Sequence, residues 1–241
     1  GQTLPWGNLT GIRPTKIAMG LIESGMSNIQ TAEYMRNTYF TSKEKTALAI
    51  TIANRERELL KDIDYEKGYS LYVGIPFCPS ICLYCSFSSS PLQRWKDQVD
   101  AYLDALLKEL DFISEAMKDR TLDTIYIGGG TPTTLEPEQL ERLLGHINAR
   151  FPVEQVKEYT VEAGRPDSIT REKLQAIRKF PVTRISVNPQ TMNEGTLELI
   201  GRRHTVEDTR HAFALARECG FDNINMDIIV GLPGEQKEDV G

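Results

Sequence analysis

Histidine and cysteine are scarce in this sequence, and long apolar runs are missing. Its 241 residues include three histidines and four cysteines. Because three of the four cysteines are clustered, they do not suit the disulfide framework of a small secreted protein. No stretch reaches the roughly 18 apolar residues of a membrane helix, and no basic-then-apolar leader opens the chain. The net charge of −6 argues against a basic face for nucleic acid. We therefore expect a cytoplasmic protein without a membrane segment or a nucleic-acid partner.

The composition suits a folded protein with a buried core, because hydrophobic residues make up 40% of the chain and charged residues 26%. Residues 1–68 carry apolar positions at helical spacing and predict an N-terminal helical segment, with helices near 14–24, 28–40 and 42–63. The chain has no starting methionine, so we expect it to begin inside a longer protein.

Residues 69–241 have another pattern, in which short β-branched runs alternate with amphipathic stretches. The predicted strands are Ser70–Ile75, Thr124–Gly128, Glu158–Ala163, Thr183–Val187 and Asn223–Val230. The predicted helices are Gln93–Met117, Pro137–Arg150, Thr170–Lys179 and Thr205–Cys219. This alternation predicts an α/β domain with parallel strands and right-handed crossovers. We expect an incomplete TIM-like barrel of five visible strands, with its site at the carboxyl ends of the strands and its sixth strand beyond the chain end.

Three of the four cysteines stand together at Cys78, Cys82 and Cys85, in the loop after the first barrel strand. A structural zinc site needs four ligands, and the histidines lie far away in sequence. A disulfide would leave one thiol unpaired, and a loop rich in proline and serine is a poor place to bury core cysteines. Thiolates are the usual ligands of a four-iron cluster, and three of them leave one iron open to a chelating small molecule. The spacing C-x3-C-x2-C therefore favours an iron–sulfur cluster over a barrel with incidental thiols.

The same spacing after a first barrel strand resembles the signature of radical S-adenosylmethionine (SAM) enzymes. The run GGGTPT at residues 128–133 predicts by itself only a tight turn, but it resembles the glycine-rich motif with which these enzymes hold the SAM amino group. The resemblance implies a partial (β/α)6 barrel, a [4Fe-4S] cluster on the three cysteines and SAM on the fourth iron. It also implies a 5′-deoxyadenosyl radical that abstracts hydrogen from a substrate.

Other stretches resemble the coproporphyrinogen oxidase-like branch of these enzymes, in particular the Z-type (HemZ-like) coproporphyrinogen dehydrogenases of Gram-positive bacteria. These stretches are LPWGNLTGIRPTKIA, RISVNPQTMN and LIGRRHT. The resemblance implies SAM contacts at Tyr72, Gly130, Thr131, Glu162, Gln190, Arg202 and Asp227. Arg202 is expected at the methionyl carboxylate, since a guanidinium suits a carboxylate fork, and Arg203 is an equal candidate by chemistry alone. Tyr84, between two cysteines, is expected on the adenine side of SAM or as a lid over the cluster.

Two positions have structural alternatives. A buried carboxylate at Glu162 or Asp227 could instead pair with a barrel arginine such as Arg184. Cys219, outside the cysteine cluster, is predicted to be a buried helix thiol.

The resemblance implies a radical SAM oxidoreductase that decarboxylates coproporphyrinogen III to protoporphyrinogen IX in haem biosynthesis. Its partners would be the porphyrinogen and a reductase such as flavodoxin or ferredoxin. One position departs from the well-studied oxidases, because Phe87 stands where they carry a fourth cysteine. The same departure occurs in the related haem chaperones and in the Z-type proteins. A haem chaperone, or another radical reaction on a tetrapyrrole, is therefore the alternative function.

Overall fold

Three helices make up the first unit of the chain in the computed structural model, which describes residues 4–10 and 13–240. They are α1 (Pro14–Glu23), α2 (Asn28–Tyr39) and α3 (Lys43–Leu60). Ser27 and Ser42 cap α2 and α3, because each side chain accepts a hydrogen bond from a backbone N–H of the first turn. The core between the helices contains Ala18, Ile22, Met35, Ala49, Ile50 and Ala53. The unit ends at Ile63. The three helices lie near the three predicted ones, whereas Gly68, the last residue of the predicted segment, begins the first strand.

The second unit begins at Asp64 and contains alternating strands and helices. Its strands are β1 (Gly68–Ile75), β2 (Phe77–Cys78), β3 (Ser90–Pro91), β4 (Thr121–Gly129), β5 (Glu158–Gly164), β6 (Arg184–Val187) and β7 (Ile224–Asn225). Its helices are α4 (Leu92–Trp95), α5 (Val99–Ala116), α6 (Pro137–Arg150), α7 (Arg171–Arg178), α8 (Glu194–Leu199) and α9 (Val206–Glu218). Predicted segments that include residues 1–3, 11, 12 or 241 extend there outside the described residues.

One parallel sheet runs through this unit in the order β1, β4, β5, β6, β7. Every neighbouring pair of these strands is parallel, which confirms the predicted α/β fold. Successive strand side chains alternate between the two faces. In β1, Leu71, Val73 and Ile75 are buried in the core, whereas Tyr72 on the opposite face is 61% exposed.

A single large core lies between this sheet and its helices. Leu103 of α5, Leu143 and Ile147 of α6 and Leu174 of α7 are fully buried in it together with the strand residues. Burying such side chains stabilises the fold by roughly 1.5–3 kcal/mol each. The packed helices hold the sheet rigid, so the loops at the carboxyl ends of its strands are anchored at one end.

Beyond shifts of a few residues at element ends, several elements differ from the predictions. The predicted helix 93–117 is split into α4, a short 3₁₀ turn and α5, because the backbone of Trp95 leaves the helical region at φ −122°. The predicted strand 223–230 is confined to β7, followed only by an isolated bridge between Gln190 and Ile228. Its neighbour β6 ends at Val187, and Gln190 has a left-handed φ of 69°, so the ladder is interrupted. Helix α8 was not predicted, although its N-cap Asn193 is a recognisable start signal.

Within the described part of the chain, no helix combines the length and the apolarity that crossing a membrane requires.

Candidate active site

The cysteine loop leaves the carboxyl end of β1 and is closed by backbone contacts at its base. Strands β2 and β3 pair through Phe77 with Ser90 and through Cys78 with Pro91. The Ser90 N–H donates to the Pro76 carbonyl at 2.7 Å. The loop between β2 and β3 therefore begins and ends beside the carboxyl end of β1, and its cysteines stay close to that edge of the main sheet.

The three predicted cluster cysteines line one cavity of about 110 Å³ at this edge. Cys78 is buried, and Cys82 and Cys85 are partly buried. Burial raises the pKa of the Cys78 thiol, while hydrogen bonds from Thr131 and Ser89 act in the opposite direction. The three cysteines therefore line one space instead of being dispersed through the core.

The glycine run at the end of β4 lines the cavity, and we call it the glycine floor. Gly129 has φ +102°, which L side chains rarely adopt. A Cβ on Gly130 would lie 2.6 Å from the Phe77 carbonyl oxygen and 3.0 Å from Cys78 Sγ. The Thr131 hydroxyl donates towards Cys78 Sγ at 3.5 Å. Only glycine lets the backbone come this close to the cysteine loop, so the run is more than a tight turn.

The carboxyl ends of the next two strands, β5 and β6, supply a carboxylate and two amides. Glu162 near the end of β5 accepts a hydrogen bond from Asn188 Nδ2 at 3.2 Å. Both residues line the cavity, as does Gln190. Burial and, after it, the negative charge of Asp227 together raise the pKa of Glu162 to about 7, although hydrogen bonds from Tyr126 and Asn188 lower it. Glu162 thus carries a proton part of the time near neutral pH while no cation lies beside it.

Arg202 enters the same cavity from the segment between α8 and α9. It is only 7% exposed, and its Nη1 donates to the carbonyl oxygens of Asn188 and Pro189. Its Nε is buried without a hydrogen-bond partner in the protein. Its neighbour Arg203 is exposed. The structure therefore distinguishes between the two arginines and places Arg202 in the cavity.

The two predicted tyrosines occupy different places. Tyr84 lines the cysteine cavity, and burial raises its pKa to about 12 although the charge of Arg202 lowers it. Tyr72 lines a neighbouring cavity with Tyr102 and stacks on Tyr126, with ring centroids 5.8 Å apart. Phe87 borders both cavities.

Asp227 lies at the rim of the cysteine cavity and does not line it. Its backbone carbonyl accepts from the Gln190 N–H at 3.0 Å, and its carboxylate accepts from Asn225 Nδ2 at 2.7 Å. Its side chain is exposed, contrary to the burial expected from the surrounding apolar run. The alternative pairing with Arg184 is also wrong, because Arg184 contacts Glu158 and Asn225 instead.

Several cavity residues were not predicted from the sequence. Ser80, Asn188 and Arg165 line the cavity. Asn188 and Arg165 directly follow β6 and β5, so their position at the carboxyl ends of strands was the available signal. Cys219, at the end of α9, is only partly buried and takes no part in the cavity.

Comparison with known proteins identifies the family. The sequence profile of the radical SAM superfamily matches residues 72–241. The chain belongs to the radical SAM superfamily. Members of this superfamily use a [4Fe-4S] cluster and SAM, so the predicted family and cofactors are confirmed.

Individual radical SAM relatives are named both as oxidases and as chaperones. Over 239 residues the chain is 44% identical to the oxygen-independent coproporphyrinogen-III oxidase-like protein HemZ of Bacillus subtilis (strain 168), covering 98% of this chain and 48% of that protein. It is 42% identical to the haem chaperone HemW of the same strain, covering 69% of this chain and 43% of that protein. The solved coproporphyrinogen III oxidase HemN of Escherichia coli has a TM-score of 0.64 at 32% identity, covering 73% of this chain and 40% of that one. The chain spans about half the length of the curated relatives it matches, or less.

The cavity residues of this radical SAM chain fit the two cofactors by their chemistry. Among residues 4–10 and 13–240, no three Cys, His, Asp or Glu side chains converge as the ligands of a single metal ion do. A four-iron cluster does not need such convergence, because each thiolate binds a different iron. Three thiols around one cavity match three irons, and the unpartnered Nε of Arg202 is a donor suited to a carboxylate.

Proposed function

We propose that Cys78, Cys82 and Cys85 hold the [4Fe-4S] cluster and that the surrounding cavity binds SAM. We further propose that the protein is a cytoplasmic oxidoreductase of haem biosynthesis, which converts coproporphyrinogen III to protoporphyrinogen IX. The observation that carries the proposal is the meeting of three thiols, a glycine floor and a buried arginine in one cavity at the carboxyl edge of the sheet.

The protein residues have separate tasks in this proposal. Because Gly130 has no side chain, the backbone of the glycine floor can approach the amino acid part of SAM closely. Thr131 lines the cavity beside it. Arg202 holds the SAM carboxylate through its free Nε. Glu162 receives the SAM ammonium group, and a cation there would lower its raised pKa and keep it ionised. When bound, the cluster and SAM supply a 5′-deoxyadenosyl radical for hydrogen abstraction.

The outer part of the site would bind the ribose and the adenine of SAM. Gln190 and Asp227 are the candidates for the ribose hydroxyls, because Gln190 lines the cavity and Asp227 lies at its rim. Tyr84 offers an aromatic surface inside the cavity, and Tyr72 does so from the neighbouring one. Both tyrosines therefore suit a planar base or a planar substrate.

Exposed side chains around the carboxyl edge favour a large apolar substrate. Met192, Ile228 and Val230 are 41%, 52% and 76% exposed. A porphyrinogen has a broad apolar body, and the exposed Arg203 offers a charge for one of its propionates. Each conversion of a propionate to a vinyl group removes one hydrogen atom, one carbon dioxide and one further electron. The reaction therefore needs a one-electron acceptor as well as a reductase such as flavodoxin or ferredoxin.

The test is anaerobic turnover with the full chain. After reconstitution with iron and sulfide, the protein is given reductant, SAM, a one-electron acceptor and coproporphyrinogen III, and products are followed by mass spectrometry. We expect loss of two carboxyl groups coupled to release of 5′-deoxyadenosine. Cys82→Ala should abolish both, whereas Cys219→Ala, the matched removal of a thiol outside the cavity, should keep both. Unchanged turnover in Cys82→Ala would contradict the proposal.

A haem chaperone is the second candidate, favoured by the 42% identity to a haem chaperone. Phe87 in place of a fourth cysteine is compatible with both candidates. In that case the same protein would bind one haem per chain without converting coproporphyrinogen III. Release of 5′-deoxyadenosine with neither haem binding nor decarboxylation would instead indicate another radical reaction.

A further inference from the structure

An ion pair with a buried arginine and a solvent-accessible aspartate lies against the cysteine loop. Arg165 follows β5 and is 3% exposed. Its Nε and Nη2 donate to the two oxygens of Asp167 at 3.0 and 2.8 Å, which is a bidentate contact. Its third nitrogen, Nη1, faces away from Asp167 towards the loop.

The free end of this guanidinium contacts two residues of the cysteine loop. Nη1 donates to Ser80 Oγ at 2.7 Å and to the Ser80 carbonyl at 3.2 Å. The same nitrogen lies 4.0 Å from Cys82 Sγ. Ser80 also donates to the Gly201 carbonyl at 3.1 Å, so the loop is held from two sides. Arg165 is therefore fixed in place and directed at one particular sulfur.

We propose that Arg165, oriented by Asp167, is a positioning residue that sets the reduction potential of the iron–sulfur cluster through Cys82. This inference rests on the proposed ligand role of Cys82. Hydrogen bonds and charges at ligand sulfurs are known levers on cluster potentials. The reduced cluster carries one more negative charge than the oxidised cluster, and a nearby guanidinium stabilises the more negative state. Arg165 thus makes the cluster easier to reduce.

Asp167 moderates this effect. Its carboxylate lies on the far side of the guanidinium from Cys82 and partly cancels the positive charge. Removing the arginine leaves a negative charge near the sulfur, whereas neutralising the aspartate leaves an uncompensated positive charge. The two changes should therefore move the reduction potential in opposite directions. If Arg165 only held the loop in place, the two variants would not shift the reduction potential in opposite directions.

The experiment compares Arg165→Gln, Arg165→Lys and Asp167→Asn with the wild type. Each full chain is reconstituted anaerobically, its iron content is measured, and its cluster is titrated with reductant while the reduced form is followed by electron paramagnetic resonance. Arg171→Gln is the matched control, because Arg171 is an exposed arginine on α7 that pairs with Glu218 outside the cavity. The readout is a potential and does not depend on turnover.

We expect Arg165→Gln to lower the equilibrium constant for one-electron reduction at least tenfold, a shift of about 59 mV to more negative potential. Asp167→Asn should shift the potential upwards, and Arg171→Gln should leave it unchanged. Arg165→Lys keeps the positive charge and should stay closer to the wild-type potential than Arg165→Gln. If Arg165→Gln retains no iron, the upward shift in Asp167→Asn decides. Wild-type potentials in Asp167→Asn and, where it holds iron, in Arg165→Gln would overturn the inference alone. A wild type without a cluster would overturn the ligand assignment on which the inference rests.

Discussion

At the scale of single residues, the cavity depends on positions that accept only one side chain. Gly130→Ala would place a Cβ 2.6 Å from the Phe77 carbonyl and 3.0 Å from Cys78 Sγ, and backbone there has no room to move. We expect this variant to lose most of its iron after reconstitution, as measured by iron analysis.

Gly145→Ala is the control, since its Cβ would make only ordinary 3.7 Å contacts with Phe180. An alanine within α6 should stabilise the fold by about 0.5–1 kcal/mol. Full iron loading in Gly130→Ala would contradict the account.

Glu162 gives a prediction about pH. Burial, followed by the charge of Asp227, raises its pKa from 4.5 to about 7, so the folded state favours the neutral carboxyl. Its contribution to stability is therefore complete below pH 4.5 and is lost as the pH rises through 7. Glu162→Gln cannot ionise, and we expect its stability relative to the wild type to increase between pH 5 and pH 8, by at most about 3 kcal/mol.

The measurement is urea unfolding of the cluster-free proteins at several pH values. Glu138→Gln is the comparison variant, because Glu138 is exposed in the first turn of α6 and lies outside the cavity. If the relative stability of Glu162→Gln did not change with pH, Glu162 would not be a buried, proton-binding carboxyl.

The residues of the cavity differ in how far the sequence could predict them. The cysteines could be predicted because a cluster dictates their spacing. The glycine run could be predicted because a close backbone contact requires residues without side chains. Arg165 was not predicted, since its role depends on contacts with Ser80 and Cys82, 85 and 83 residues earlier in the chain. Asp227 was expected to be buried because apolar residues surround it in sequence, but it lies on the exposed side of the chain after β7.

At the scale of elements, the short helix α8 supports Arg202. Asn193 caps α8 by accepting from the Thr196 N–H at 3.1 Å, and the Arg202 N–H donates to the Leu197 carbonyl at 2.9 Å. Loss of an N-cap costs about 1 kcal/mol. We therefore expect Asn193→Ala to loosen α8 and to weaken SAM binding, as measured by calorimetry on the reconstituted protein.

The matched control is Ser27→Ala, which removes an N-cap from α2 in the other unit. It should lower stability by a similar amount and leave SAM affinity unchanged. If both variants bound SAM equally well, α8 would have no part in holding Arg202.

Element types were easier to predict than element ends. Buried β-branched runs identified the strands, and the Gly and Pro turns separated them from the helices. The end of β7 could not be read from the apolar run 223–230, because a strand persists only where its neighbour continues beside it. The break between α4 and α5 likewise depends on the backbone of Trp95, which helical periodicity does not reveal.

At the scale of the whole molecule, the parallel order of the sheet explains why distant segments share one cavity. The cavity takes its residues from the carboxyl ends of β1, β4, β5 and β6, which lie at the same edge of the sheet. They are the cysteine loop, the glycine run, Glu162 and Asn188. This convergence was predictable from strand–helix alternation. The substrate could not be predicted in this way, because substrate specificity depends on the side chains around the cavity. The chain also covers only about half of the length of its curated relatives, so the comparison does not extend to the rest of their length.

The most direct test of the central claim is the electron paramagnetic resonance spectrum of the anaerobically reconstituted, reduced protein, recorded with iron analysis before and after addition of SAM. The account predicts four irons per chain and a spectrum that changes on SAM binding, in the wild type and in Cys219→Ala. It predicts no such cluster in Cys82→Ala. A wild-type cluster that ignores SAM, or an unaltered cluster in Cys82→Ala, would contradict it.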